Sequence, residues 1–394
     1  MAYIPPHKRH SKDSERPSPI PELLVPKFTR KSTSKHNTDK RGNIVYAENA
    51  IFRWFIVGLD ADNNLPSSVQ LEPISVEAFE QRMGEKPLVL LNSQPAKEND
   101  EEGETMLTTP WESVAVNVWQ DLLSSFEIVR NKMESKELDE GKPALVARFG
   151  KILFHGSASV STESVRKDEV AETTLRRMMR SFYTNTSSSY MENIISGVGP
   201  KIGVDLEAEK DIYHIKLSDS TQPKSAILCK CRVTEDRKLE LYKVELNSVR
   251  QMVIDISCID KNLDLRLALY TKRIITAPTD DEMKSIRNIV ASAILDPEVK
   301  GGLRWPLGKS CSGDRYAVIG IWHTIAKKYK SPSLSLKARH VDRFDFKVAI
   351  GEATIEVALK FRRLVSDLQE EKVEKDSMFD MFKDNLRMIW DHFL

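Results

Sequence analysis

The sequence predicts an α+β protein, a large antiparallel sheet or barrel flanked by helices and preceded by a disordered tail. Three observations carry this expectation. From about residue 203 to 275, strand-length β-rich segments are separated by turn residues such as "TEDRK" and "DKN". Two helix starts carry a capping box, at Thr109/Glu112 and at Thr279/Glu282. The first 43 residues alternate Pro, Ser, Lys and Arg with almost nothing to bury, which is the composition of a disordered basic tail.

Order is expected to begin at "NIVYAENAIFRWFIVGLD", where Ile51, Phe52, Trp54, Phe55, Ile56 and Val57 form an apolar run of strand length. "PLVLL" reads as a second strand and ends at the acidic loop "PAKENDEEGET". In "TPWESVAVNVWQDLLSSFEIVRNKM", Val118, Leu122, Phe126 and Val129 recur at helical spacing and should face the core. "ALVARFGKILFHG" returns to strand character, and "VRKDEVAETTLRRMMRSFY" then reads as a basic helix. After the β-rich stretch come the helix "TDDEMKSIRNIVASAIL", the strands "RYAVIGIWHTIA", "SLSLKARHVDRFDFKVAI" and "ATIEVALKF", and two closing helices. In the last, Met378, Phe382, Ile389 and Phe393 recur at helical intervals, and Phe379, Leu386 and Trp390 widen the apolar stripe, which is expected in the core. The body then spans 44–394, with 44–140 and 141–394 as candidate subdomains.

The chain has 394 residues, 30% of them charged, and a formal net charge of +1, so a basic site must be local rather than a property of the whole surface. Four cysteines are too few for a disulfide framework, and a reducing cytoplasmic or nuclear compartment is expected. No apolar run approaches the roughly 20 residues of a membrane helix.

Motifs for catalysis or cofactors fail on spacing. "LGKSCSG" ends like a phosphate-binding loop, but the glycine required five positions earlier is Leu303, and a strand follows rather than a helix. "GVGPKIG" precedes a strand instead of following one. Cys229 and Cys231 sit two apart on a strand with no second pair, and read as buried apolar thiols rather than zinc ligands. His323 and His340 fall on strands with no nucleophile pattern nearby. No cofactor, metal ligand or catalytic residue is assigned. The basic helix offers Arg176, Arg177 and Arg180 on one side, with Tyr183 placed to stack, opposite a stripe of Ala171, Leu175, Met178 and Phe182. Polar residues also alternate through the strands, Arg266 with Lys272, Lys230 with Arg232, and Glu356 with Lys360 and Arg362. In a closed sheet these line a tunnel, and in an open one they face water.

"YIPPHKR", from Tyr3 to Arg9, resembles the segment near the N-terminus of DEAD-box translation helicases that is linked to binding the cap-binding initiation factor. The resemblance implies RNA-related company for Tyr3, Ile4, Lys8 and Arg9, although Lys8 stands where those proteins carry leucine. The chain from "MAYIPPHKRHS" through "LRWPLGKSCSGDRY" resembles a plant family of uncharacterised proteins, which implies no activity. "ALVARFGKI" resembles the opening strand of tunnel-type RNA triphosphatases, whose alternating glutamates bind metal; Ala144 and Val146 occupy those places here.

The leading expectation is a non-catalytic RNA-associated protein, with Lys8, Arg9, Arg176, Arg177, Arg180 and Tyr183 toward RNA and a protein partner engaged by Tyr3, Ile4, Leu23 and Leu24 of the tail. One alternative is an adaptor that binds a partner through its C-terminal helix. The other is a metal-dependent phosphohydrolase of the tunnel type, which needs carboxylates such as Glu207, Glu209, Glu240, Glu245 and Glu356 to converge.

Overall fold

The computed structural model describes residues 45–57, 68–92, 109–134, 142–157, 160–165, 171–222, 226–274, 279–306, 315–370 and 373–394. The expected tail, the acidic loop and the "LGKSCSG" segment lie outside them. In chain order the first strands are β1 (Val45–Val57), β2 (Val69–Pro73), β3 (Leu88–Asn92), β4 (Lys142–His155) and β5 (Met179–Tyr183). β6 (Asp205–Asp219), β7 (Ala226–Val233), β8 (Leu239–Cys258) and β9 (Asp264–Ile274) follow. After the two-residue pair β10 (Ile294–Leu295) and β11 (Leu303–Arg304) come β12 (Tyr316–Lys330), β13 (Leu334–Asp345) and β14 (Ile350–Phe361). The helices are α1 (Glu77–Met83), α2 (Pro110–Glu134), α3 (Thr162–Val165), α4 (Glu172–Arg177), α5 (Ser188–Asn193), α6 (Gly199–Lys201), α7 (Asp280–Ala291), α8 (Arg362–Glu370) and α9 (Lys375–His392). The expected α+β class is what the chain adopts.

The sheet closes. β8, β7, β6, β12, β13, β14, β4 and β9 pair in that order, and β9 pairs back onto β8, giving an antiparallel barrel of eight strands. The closing seam joins Lys142 to Lys272 and Gly150 to Asp264. β1 adds outside the ring, parallel to β8.

Period-2 alternation gives every barrel strand two chemically distinct faces. On β4, Leu145, Ala147 and Phe149 point outward while Ala144, Val146 and Arg148 point in; on β14, Val357, Leu359 and Phe361 point outward opposite Thr354, Glu356 and Lys360. The outward residues of β4, β8, β9, β13 and β14 are the main core, and α2, α8 and α9 cover them. Val118, Leu122, Phe126 and Val129 of α2 are all buried, as expected. So are Met378, Phe382, Leu386, Ile389 and Trp390 of α9, which places the C-terminal helix in the core. Phe382 stacks on Trp119 at 5.7 Å, and Phe393 on Phe149 at 4.9 Å. A second outer core joins β6, β7 and β12 to Ile286, Ile289 and Val290 of α7, and it buries Cys229 and Cys231. Thr279 caps α7 in the expected reciprocal capping box with Glu282.

The basic helix expected over 165–183 does not form as one element. α4 stops at Arg177 and residues 179–183 become β5, paired from Lys151–Tyr183 to His155–Met179 along the end of β4. Five ladder pairs on an otherwise open edge outweigh the local helical pattern. β5 comes so close that a Cβ on Gly150 would lie 2.0 Å from the Tyr183 carbonyl oxygen, so only glycine fits there. Beyond Gly150 the inner face of β4 turns apolar: Ile152 and Phe154 pack with Leu175 and Met178, and Trp54 and Phe182 pack against them. This satellite core forms a floor at one end of the wall built by β4, β9 and β8.

Candidate functional site

The inner face of the barrel is charged, and the charge is unbalanced. Among the inward carboxylates of the described residues, Glu356, Glu245 and Asp255 are already engaged. Glu356, 5% exposed, receives the guanidinium groups of Arg339 and Arg343. Glu245 holds Lys230 at 2.8 Å and Lys243 at 2.9 Å. Asp255 takes both arms of Arg266, at 2.5 and 2.7 Å. The pairings follow from register, since Arg339 lies opposite Glu356 and Asp255 opposite Arg266.

Arg148, Lys272, Lys337 and Lys360 stand on the same inner face with no ion pair among the described residues. Their proton affinities record the crowding. Burial and the neighbouring Arg339 hold Arg148 down at about 10. Burial, Arg339, Lys272, Lys230 and Lys210 hold Lys337 at about 7. Burial followed by Lys272 lowers Lys360 as well. Burial alone would raise Glu356, but Arg339, Arg343 and Arg148 keep it ionised, with a pKa of about 2. Such a lumen stores like-charge repulsion that a bound anion would relieve.

Other inner-face groups are neutral. Trp322 of β12 pairs with His214 of β6 on one side and Arg343 of β13 on the other. The indole stacks on the imidazole at 5.0 Å and 12°. Burial, then Lys230, Lys337 and Arg339, push the His214 pKa down to about 3, so the ring is uncharged. His214 Nδ1 and the hydroxyl of buried Thr324 make no hydrogen bond among the described residues.

The tunnel resemblance implies a divalent metal, and the donor set does not fit one. Ala144 and Val146 face the lumen where that resemblance calls for carboxylates, and Glu356 is saturated by arginines. Glu207, Glu209 and Glu240 do not converge with Glu245 and Glu356. They pair with Lys328 and Lys330, Lys327, and Arg232 respectively. Among the described residues no group of three His, Cys, Asp or Glu side chains is placed to hold a metal ion.

The residues singled out from the sequence separate into three groups. Of the alternating polar row, Arg266, Lys272, Lys230, Glu356 and Lys360 line the lumen, whereas Arg232 is exposed and paired with Glu240, and Arg362 begins α8 and donates to the Ser331 carbonyl. Arg176, Arg177, Arg180 and Tyr183 do not form one cationic face. Arg176 pairs with Glu172 at 2.7 Å. Arg180 donates to the Leu175 carbonyl at 2.9 Å and lies 4.8 Å over the Trp54 ring, while the Tyr183 hydroxyl accepts from Asn185. Tyr3, Ile4, Lys8, Arg9, Leu23 and Leu24 lie outside the described residues. The sequence reading did not single out Arg148, Lys337, Arg339 or Arg343. Their signal was present as basic residues alternating with Leu336, Ala338 and Phe344 in "LSLKARHVDRF" and with Ala147 and Phe149 in "ARFG".

His323 and His340 lie on the outer face instead. They border a groove of about 550 Å3 that Asp342, Ile355 and residues 185–188 help to line. His323 Nε2 meets Asp211 at 2.6 Å and its ring stacks on Tyr213, a structural role.

Among solved structures, the RNA triphosphatase Pct1 of S. pombe matches with 10% identity over 75% of this chain and 96% of that one, at a TM-score of 0.39. Pct1 in complex with the Spt5 CTD matches with 10% identity over 75% and 98%, at 0.41. A putative adenylate cyclase of Bacillus halodurans matches with 11% identity over 52% and 87%, at 0.23. Comparison with curated proteins gave no match. No helix among the described residues is long and apolar enough to cross a membrane. The family model described as "Domain of unknown function (DUF7903)" matches residues 38–393, and the chain belongs to that family.

Proposed function

We propose that the barrel binds a phosphate-bearing polyanion in its lumen, as a binding protein rather than a metal-dependent phosphohydrolase. The observation that carries this reading is the set of inner cations without carboxylate partners, Arg148, Lys272, Lys337 and Lys360, beside carboxylates that are already engaged. Multivalent anions gain most from such a cluster, because each added phosphate meets charge that is already in place. The test is calorimetric titration with tripolyphosphate in a chelator-containing buffer. Binding should weaken as salt rises, and Arg148→Gln with Lys272→Gln should reduce it about tenfold or more, at roughly 1.4 kcal/mol per tenfold. Absence of binding by the wild type overturns the reading, and phosphate release on adding magnesium or manganese restores the hydrolase alternative.

RNA is the second reading, and the stacked Trp322–His214 pair beside Arg343 supports it. An indole next to a cation can receive a base whose 5′ phosphates reach the arginines, and such stacking contributes about 1–3 kcal/mol per base. A 5′-phosphorylated oligoribonucleotide should then bind more tightly than tripolyphosphate, and Trp322→Ala should remove that difference. Equal affinities leave the phosphate chain as the whole determinant.

A further inference from the structure

Lys337 on β13 is the lumen amine most crowded by like charge. Its partners across the ladders are Lys328 on β12 and Ala358 on β14, so a second cation stands directly across from it on one side and only a methyl group on the other. Arg339 faces it from its own strand, Lys272 from β9, Lys230 from β7 and Lys210 from β6, and each disfavours its protonation. The remaining charged groups on the same face of the flanking strands are Glu352, Glu356 and Lys360 on β14 and Lys328 and Lys330 on β12. Glu356 is taken by Arg339 and Arg343, and Lys328 by Glu207. Among the described residues no carboxylate lies within ion-pair distance of Lys337, and a large share of its amine is free base at neutral pH. A desolvated lysine beside other cations is a recognised activated nucleophile. The cations that activate it are also suited to hold a phosphate.

We propose that Lys337 captures phosphate-bearing aldehydes or ketones as an imine inside the barrel, a step that rests on the phosphate-binding reading above. The Nζ lone pair forms a C–N bond to the carbonyl carbon while the C=O π pair moves to oxygen, which takes up a proton as nitrogen gives one up. Loss of water then breaks the C–O bond and leaves C=N. Amine and carbonyl become imine and water, with no change in oxidation state and no co-reactant.

The probe is pyridoxal 5′-phosphate, followed by borohydride reduction and peptide mapping. Lys337 should be labelled about tenfold or more faster than the exposed Lys86 and Lys201, because its lowered proton affinity leaves far more free amine. Labelling should rise as pH passes through about 7. Tripolyphosphate should suppress it, and pyridoxal without the phosphate should label Lys337 several-fold less. Lys337→Arg should lose the label, whereas Arg176→Gln with Arg177→Gln on the outer surface should keep both the label and tripolyphosphate binding. If tripolyphosphate binds but Lys337 is labelled no faster than Lys86, or the label goes to Lys272 or Lys360 instead, the imine inference falls alone. If tripolyphosphate also fails to bind, the phosphate reading falls with it.

Discussion

The two faces of the barrel wall are made by the same strands and obey opposite rules. Outward from β4, β9 and β14 lie Leu145, Phe149, Leu267, Leu359 and Phe361, each at most 2% exposed and roofed by helices. Inward from the same strands lie Arg148, Arg266, Lys272, Glu356 and Lys360. Hydrophobic stabilisation therefore resides outside the ring, and the inside is free to carry charge that folding alone would not select. A lumen designed only for stability would be apolar or evenly paired. This one is neither.

The largest effect that would break this division is on the outer face. Phe382→Ala removes a fully buried ring stacked on Trp119 and should lower stability by about 3–5 kcal/mol, read by chemical denaturation. Tripolyphosphate affinity of the folded fraction should stay the same. A change in affinity larger than the change in folded fraction would mean that the two faces are coupled.

The next substitution moves stability and binding in opposite directions. Glu356→Gln leaves Arg339 and Arg343 without their shared carboxylate and should lower stability by about 3 kcal/mol. It also removes a negative charge from the lumen, so tripolyphosphate should bind more tightly and recover part of the decrease in melting temperature. If both quantities fall together, the carboxylate positions the arginines for the anion rather than merely neutralising them.

A smaller effect is the pH dependence of stability without ligand. Lys337 is held at about 7 and Lys216, mainly by burial, at about 8, against an ordinary value of 10.5. Between pH 7 and about 10 the unfolded chain holds protons that the folded chain has released. Stability should therefore rise with pH across that window, and the contribution of these two lysines should flatten below it. Lys337→Met should reduce the slope, and saturating tripolyphosphate should reduce it too by restoring the lysine's proton. A flat profile in the wild type would show that the lumen lysines are not crowded.

How much of this was legible beforehand depends on the distance over which each feature is decided. The α7 capping box and the α2 and α9 stripes are set within a few turns of helix, and the residues themselves announce them. The alternation in "ATIEVALKF" announced two faces but not which one was enclosed. Closure depends on Lys142 meeting Lys272 and Leu246 meeting both Ile227 and Arg273, pairings across long separations with bulges that local pattern does not fix. Lys337 was invisible for the same reason, because its environment is assembled from β6, β7, β9 and β13. The failed basic helix is the converse case. "ETTLRRMMRSFY" carries a helical stripe, and only the open edge of β4 beyond Gly150 explains why its second half is a strand.

That failed helix supplies the finest test of inside against outside. Arg176 and Arg177 end α4 on the protein surface, and Arg176 is bound to Glu172 four residues earlier. An exposed pair of this kind contributes roughly 0–1 kcal/mol and is screened by salt. Sequence alone made these arginines the first choice for a phosphate contact, whereas the barrel places its unpaired cations elsewhere. Arg176→Gln with Arg177→Gln should leave tripolyphosphate affinity within about twofold, since long-range attraction between exposed charges decays over roughly 8–10 Å. The salt slope should also be unchanged, while Arg148→Gln with Lys272→Gln should flatten it by about one unit for each phosphate that is no longer neutralised. Arg180 is excluded from the set because its bonds to the Leu175 and Met178 carbonyls and its place over Trp54 make it part of the floor. If the surface pair flattens the slope and the lumen pair does not, the anion rides on the outside of the molecule, and the charged lumen must be explained by some other ligand.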